Sequence, residues 1–257
     1  MSKTSIFSAI PKLDYEEKAE TINKEEFIKT IKSRRSVRSF TSEKVLEKDM
    51  MECLELALLA PTSSNLQCWE FYWVKDPSKK EKLKKYCLGQ PAASTAQELV
   101  VCVARTDTWK ENAKQILSNF ENSERQVPKA VLSYYRKIVP LAYNQGLFGL
   151  FGLLKRFILY FRGIKKVTPR EPTSNSDMRV WAHKTTALAC ENLMLSLRAY
   201  GYDSCPMEGM DSKRIKTLLN LSSGAEICMV ISAGKRASNG VYGKRLRLKS
   251  EKFIKVV

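Results

Sequence analysis

Downstream of Asn23 the apolar residues fall at helical spacing. Phe27, Ile28 and Ile31 form one stripe, and Asn23 with Glu26 reads as a capping box, so a first helix is predicted to about Lys32. A second helix, about Glu47 to Leu59, gathers Met50, Met51, Leu54 and Leu58 on one face and stops at Ala60-Pro61. The period then changes. Trp69 to Lys75 reads as an aromatic strand, and Leu99 to Ala104 as a strand apolar enough to be buried on both faces. Between them Asp76-Pro77 opens a short Lys-rich helix, and helical patterns return at about 109–120 and 128–138. The longest helix runs from about Asp177 to Tyr200, with Gly201 as its left-handed terminus. Val180, Ala187, Leu188, Leu193, Met194 and Leu197 surround much of its girth, which predicts burial on more than one side, as in a dimer core. Cys205 to Met210 reads as a turn. Asp211 caps a short helix to about Leu219, Glu226 to Ser232 is a third strand, and 240–257 forms a tail.

A chain of 257 residues, 44% hydrophobic and without internal repeat or low-complexity linker, suits one elaborated domain, 23–257. Residues 1–22, which mix Lys, Glu and scattered apolar residues, read as an N-terminal arm suited to lying on a partner surface.

Charge changes this picture more than length does. The 44 Lys+Arg against 27 Asp+Glu give a formal +17, more than one phosphorylated cofactor per chain neutralises, which keeps a polyanion or an anionic membrane surface in view. The cations are scattered, however. The densest cluster, Lys79, Lys80, Lys82, Lys84 and Lys85, lacks the interleaved aromatic residues of a single-strand binder, so no nucleic acid is expected. Seven cysteines without a C-x-x-C pair read as buried thiols in a reducing compartment, and His183 as the lone histidine makes a metal unexpected. No continuous apolar leader and no spanning-length apolar run is present, which places the expected location in the cytoplasm.

Candidate chemistry centres on Arg34-Arg35-Ser36-Val37-Arg38-Ser39-Phe40. In an extended chain Arg34, Ser36 and Arg38 share one face about 13 Å long, so one elongated phosphate-bearing ligand such as flavin mononucleotide (FMN) could engage all three. Alone, such a heptad is more often a solvated basic turn. Its partners elsewhere in the chain reverse that balance.

Those partners are the loop Pro61-Thr62-Ser63-Ser64-Asn65-x-Gln67-x-Trp69 and the segment Cys205-Pro206-Met207-Glu208-Gly209, with Arg245-x-Arg247 as a weaker fourth element. Together and in this order they resemble the flavin-dependent nitroreductase family, over roughly 24–106 and 177–257. The resemblance implies an α+β, three-layer fold with a mostly antiparallel central sheet flanked by helices, in an intertwined homodimer with FMN at each end of the interface. It implies that Arg34, Arg35 and Ser36 hold phosphate and ribityl chain, that Arg38 faces the N1 and O2 edge of the ring, and that Arg245 and Arg247 close the phosphate clamp. Pro61, Thr62, Ser63, Asn65 and Gln67 would come from the other subunit, with Cys68 standing where the family commonly has proline. Backbone groups at Pro206, Met207, Glu208 and Gly209 would meet the N5 and O4 side, and Gln90 is a further ring contact. No catalytic side chain is implied, because the flavin carries the chemistry: hydride from NAD(P)H, a transient co-substrate, passes by ping-pong to nitroaromatic, quinone-like or other conjugated small-molecule acceptors. No G-x-G-x-x-G follows a strand, so the nicotinamide would bind over FMN rather than in its own dinucleotide domain.

The resemblance is poorest across 107–176, which is expected to be a variable lid or insertion. Within it the aromatic, basic stretch 147–166 reads first as a pocket lid or dimer packing and second as an amphipathic membrane-surface helix. Other classes stay open at this point: a flavin-binding offshoot with another reductive activity such as dehalogenation, a non-catalytic flavin carrier, and a basic membrane- or nucleic-acid-binding module.

Overall fold

The Asn23 side chain accepts from the amides of Glu25 and Glu26 at 3.0 and 3.2 Å and so starts helix α1, Lys24–Ser33. The computed structural model describes residues 15–257; the expected arm lies outside the described residues up to position 14, and from Tyr15 to Asn23 it is irregular and exposed. The elements that follow are α2 (Glu47–Ala57), β1 (Trp69–Trp73), α3 (Pro77–Tyr86), α4 (Pro91–Ser94), β2 (Glu98–Arg105) and α5 (Trp109–Glu121). Next come α6 (Lys129–Ser133), a wider π turn (Tyr134–Ile138), α7 (Val139–Tyr143), α8 (Leu150–Lys165), α9 (Asn175–Ala199), β3 (Asp203–Met207), α10 (Ser212–Leu218) and β4 (Ala225–Gly234). Asp76, Ser174 and Asp211 cap α3, α9 and α10 with their side chains. Gly201 closes α9 at φ +80°.

Four strands form one antiparallel sheet in the order β1-β2-β4-β3. Alternation along β2 divides the core. Leu99, Val101 and Val103 pack with Leu83, Ala92, Ala93 and Ile215 on one face. Val100 and Cys102 pack with Met50, Cys53, Ala57, Leu193 and Leu197 on the other. The result is three layers, α3/α4/α10 over the sheet over α2/α9, as the resemblance implied. A third cluster ties α5, α7 and the first turns of α9 to Leu66, Cys68 and Ala104 at one corner.

Three sequence expectations need correction. Residues 203–207 form a strand rather than the start of a turn; Pro206 disguised it, and proline is tolerated there because β3 is an edge strand. In α2 the buried residues are Met50, Cys53 and Ala57, whereas Met51 and Leu58 are about half exposed at 47% and 48%. Nor does α1 bury any residue, although its apolar stripe is present as read.

Candidate functional site

Val37 and Phe40 anchor the arginine stretch in the core while the polar residues between them remain accessible. The segment runs beside the β3 edge: Ser36 bridges Ser204 in parallel, the Val37 amide donates to the Ser204 carbonyl at 3.0 Å, and the Arg38 amide to the Gly240 carbonyl at 2.8 Å. These bonds fold the tail back over the segment. Residues 34–36, Arg38 and 241–247 then enclose a cleft of about 290 Å³. Arg34, Arg35, Ser36, Arg38, Arg245 and Arg247 all line it, so two motifs some two hundred residues apart meet as expected.

Guanidinium groups also build the cleft. Arg35 Nη2 donates to the Gly243 carbonyl at 2.6 Å, and Arg245 Nη2 donates to the carbonyls of Lys32, at 2.9 Å, and Arg34. Arg38 lies over the Tyr242 ring, 5.4 Å from its centroid. Among the described residues no carboxylate lines the cleft; the nearest compensation is an ion pair of 3.6 Å from Arg34 to Glu191 on α9. Desolvation, then repulsion from Arg247, Arg35 and Arg34, lowers the Arg245 pKa. Cations converging on one concave surface with a single carboxylate partner are the donor set of a phosphate site, and a serine hydroxyl among them suits a polyol chain. The residues present therefore fit the phosphate end of FMN.

A second group assembles around Gln90. Its Nε2 donates to the carbonyls of Gly209 at 2.7 Å and Cys87 at 3.0 Å, which fixes the backbone after Met207 against the α3–α4 turn. Gln90 thus meets the 206–209 segment as a brace for its backbone. Leu88 and Gly89, both at φ +61°, make the turn that brings Gln90 there.

The third motif is elsewhere. Ser63 Oγ lies 2.9 Å from the Tyr143 hydroxyl, Ser64 Oγ lies 2.6 Å from that of Tyr134 and 3.1 Å from that of Tyr143, and Tyr135 donates to the Ser64 carbonyl at 2.8 Å. Thr62 Oγ1 accepts from the Gln67 amide at 3.1 Å, and Asn112 donates to the Leu66 carbonyl at 2.7 Å. Ser64, Asn65 and Gln67 are held at positive φ (55°, 52° and 46°), a shape that these bonds maintain. None of Pro61, Thr62, Ser63, Asn65 or Gln67 lines the arginine cleft.

Sheet register explains the separation. The loop leads into Trp69, level with Ala104 and Glu226, on the β1 edge; Ser204, level with Ala233, lies on the β3 edge. Three strand spacings, ~14 Å, and about seven residues of strand, ~23 Å, put the two motifs at opposite corners. Within one chain the polar loop and the arginine cleft are therefore separate features.

Sequence reasoning missed Tyr242 and Lys244, which line the cleft beside Arg245, and the Tyr134, Tyr135 and Tyr143 hydroxyls that hold the polar loop. The alternation Tyr242, Lys244 and its neighbours pointed to the first pair; the tyrosines fall in the segment of poorest resemblance. Thiol chemistry has no place at either half. All seven cysteines are free and six are buried; burial pushes Cys53 and Cys68 up to about 12 and Cys87 to about 11.

A single sheet between two helix layers, with a cation-lined cleft at its edge, defines the class as α+β. The nitroreductase family model matches residues 31–235, and the chain belongs to that family, whose members are oxidoreductases. Protein DrgA of Synechocystis is 27% identical over 216 residues, covering 84% of this chain and 86% of that protein. An NADH dehydrogenase of Thermus thermophilus is 27% identical over 216 residues, covering 84% and 89%. Among solved structures, the nitroreductase family protein from Streptococcus pneumoniae shares the fold at TM-score 0.67 and 20% identity, covering 90% of this chain and all of that one. A protein from Exiguobacterium sibiricum solved in complex with FMN does so at TM-score 0.62 and 20% identity, covering 93% and 100%. Among the described residues no helix is long and apolar enough to cross a membrane.

Proposed function

We propose that this protein is a homodimeric, FMN-dependent oxidoreductase that takes hydride from NAD(P)H and reduces nitroaromatic, quinone-like or other conjugated acceptors. One observation carries the reading: cations from residues 34–38 and 244–247 converge on a cleft that, among the described residues, no carboxylate lines. When bound, FMN supplies the two-electron chemistry. Arg34, Arg35, Arg245 and Arg247 hold the phosphate, with Ser36 on the ribityl chain. Arg38 contributes a fixed positive charge that favours negative charge on a reduced ring. Gln90 orients the backbone at Met207, Glu208 and Gly209 toward the ring. The relatives named for nitroreductase or NADH dehydrogenase activity support the nicotinamide donor, and use of one open face by donor and acceptor in turn gives the ping-pong order.

A second copy supplies the missing half. Twofold pairing through the open faces of α2 and α9 would cover Met51, Leu58, Val180 and Leu188 and bring Pro61, Thr62, Ser63, Asn65 and Gln67 of one protomer to the arginine cleft of the other. It would also cover the apolar stripe of α1, where Phe27 and Ile31 stay exposed among the described residues.

The test is the visible spectrum of the purified protein, followed by anaerobic bleaching with NADH and with NADPH and reoxidation by a quinone or nitroaromatic. Yellow protein that both steps cycle is expected. Yellow protein that neither nicotinamide bleaches indicates a flavin carrier or another reductive activity, and colourless protein that takes up no FMN removes the reading altogether.

A further inference from the structure

From Arg125 to Arg170 the chain contains ten Lys and Arg and neither Asp nor Glu, and α8 lies inside this stretch. The helix is turned inside out relative to an ordinary surface helix. Gly152 and Lys155 face the body; the Lys155 ammonium is capped by the Ala142 and Pro172 carbonyls at 2.7 and 3.1 Å. Leu150, Leu153, Leu154, Phe157, Phe161 and Ile164 are each more than half exposed. At ~100° per residue these six fall within an arc of about 100°, centred opposite the Gly152/Lys155 side, with Arg156 and Arg162 on its two flanks. Lys165 and Lys166 follow at the exposed end.

We propose that α8 docks the protein on an anionic lipid surface, its Leu/Phe arc entering the acyl boundary and Arg156, Arg162 and Lys166 resting among headgroup phosphates. Length decides between lying on and spanning: 16 residues reach only ~24 Å, short of a ~30 Å hydrocarbon core, and arginine flanks fit the interface. Charge decides against a second copy of the same helix, since twofold pairing would set this carboxylate-free segment against itself. Lys155, the remaining cation of the helix's first two turns, is excluded from that role by its two carbonyl partners.

The experiment is co-sedimentation of the intact protein with vesicles of phosphatidylcholine alone and of phosphatidylcholine with phosphatidylglycerol. Wild type is expected to bind the mixed vesicles and not the neutral ones. Arg156→Glu with Arg162→Glu, and separately Phe157→Ser with Phe161→Ser, each lower the partition coefficient roughly tenfold or more while retained circular dichroism shows that folding is intact. Absence of wild-type binding overturns the proposal. So does unchanged binding in the phenylalanine variant, which would reduce it to electrostatic adsorption. Unaltered binding by both variants with an altered KM for a soluble acceptor would make α8 a pocket lid and overturn it as well.

Discussion

The arginine cleft and the tyrosine-held loop sit at opposite corners of one sheet and are finished to different degrees. At the loop, neutral hydroxyls and carbonyls satisfy one another: Ser63, Ser64, Tyr134, Tyr135 and Tyr143 close a network inside the chain. At the cleft, cations from two segments are drawn together by donating to backbone carbonyls, and their charge goes uncompensated apart from Glu191. A prebuilt shape and a stored charge are different preparations. The first keeps strained backbone at Ser64, Asn65 and Gln67 in place before anything binds; the second lowers the chain's own stability until an anion arrives.

The largest expected effect strikes the frame of the cleft. Asp203, whose side chain is 5% exposed, receives Arg236 Nη2 at 2.5 Å and Arg198 Nη1 at 3.0 Å where β3 begins, and Arg236 also reaches the Ser33 carbonyl. Asp203→Ala leaves two half-buried guanidinium groups unpaired and should cost about 3 kcal/mol or more. Urea unfolding measures it. A loss below ~1 kcal/mol would show that the edge holds without this pair.

Next comes the stored charge itself. Arg34→Ala combined with Arg247→Ala removes two charge-assisted phosphate contacts, so FMN should bind roughly 100-fold more weakly while the apo protein is no less stable. Fluorescence titration with FMN and a thermal melt of the same sample give both numbers. Full flavin retention would dismantle the assigned clamp. Tyr143→Phe tests the opposite corner: it removes the hydroxyl shared by Ser63 and Ser64 and should cost about 1 kcal/mol of stability, lower turnover, and leave FMN affinity nearly unchanged. Equal losses of affinity and stability in this variant would erase the distinction between the two corners.

What the sequence made legible follows the same division. Local codes were readable: the Asn23 cap, the apolar run of β2 buried on both faces and the left-handed Gly201. The alternation that would set Arg35 apart from Arg34, Ser36 and Arg38 was not a guide, since all four line the cleft. Long-range geometry was not readable. Nothing local says that 241–247 folds back on 34–38, because the bonds that do it run from side chains to carbonyls two hundred residues away. Pro206 concealed β3, since propensity counts proline against a strand without knowing that the strand is at an edge. The apolar positions of α2 and α9 were recognised, but which of them faces the chain's own core and which faces outward depends on a rotation of the helix that composition does not encode. The tyrosine network lay in the segment where resemblance fails, and hydroxyl pairs leave no spacing signature.

The smallest expected effect concerns pH, and it separates the corners again. The loop corner carries His183, whose Nε2 lies 3.0 Å from Glu226 Oε2. Hydrogen bonding to Cys228, opposed by desolvation and helped by Glu226, raises the His183 pKa; the bonds from Arg179 and His183 keep Glu226 low against its own desolvation. A histidine raised in the folded state contributes stability that is fully present below its unfolded value of ~6.5 and is lost as pH climbs through the folded value. Glu226 works in the opposite direction, with its contribution lost only as pH falls below ~4. The melting temperature should therefore decline slightly from pH 6 to pH 8, by less than ~3 °C, because Arg179 holds Glu226 at 2.6 Å whether or not the imidazole is charged. His183→Gln should flatten that decline and leave the acid limb in place. A decline of undiminished size in the variant would assign the titration to another group.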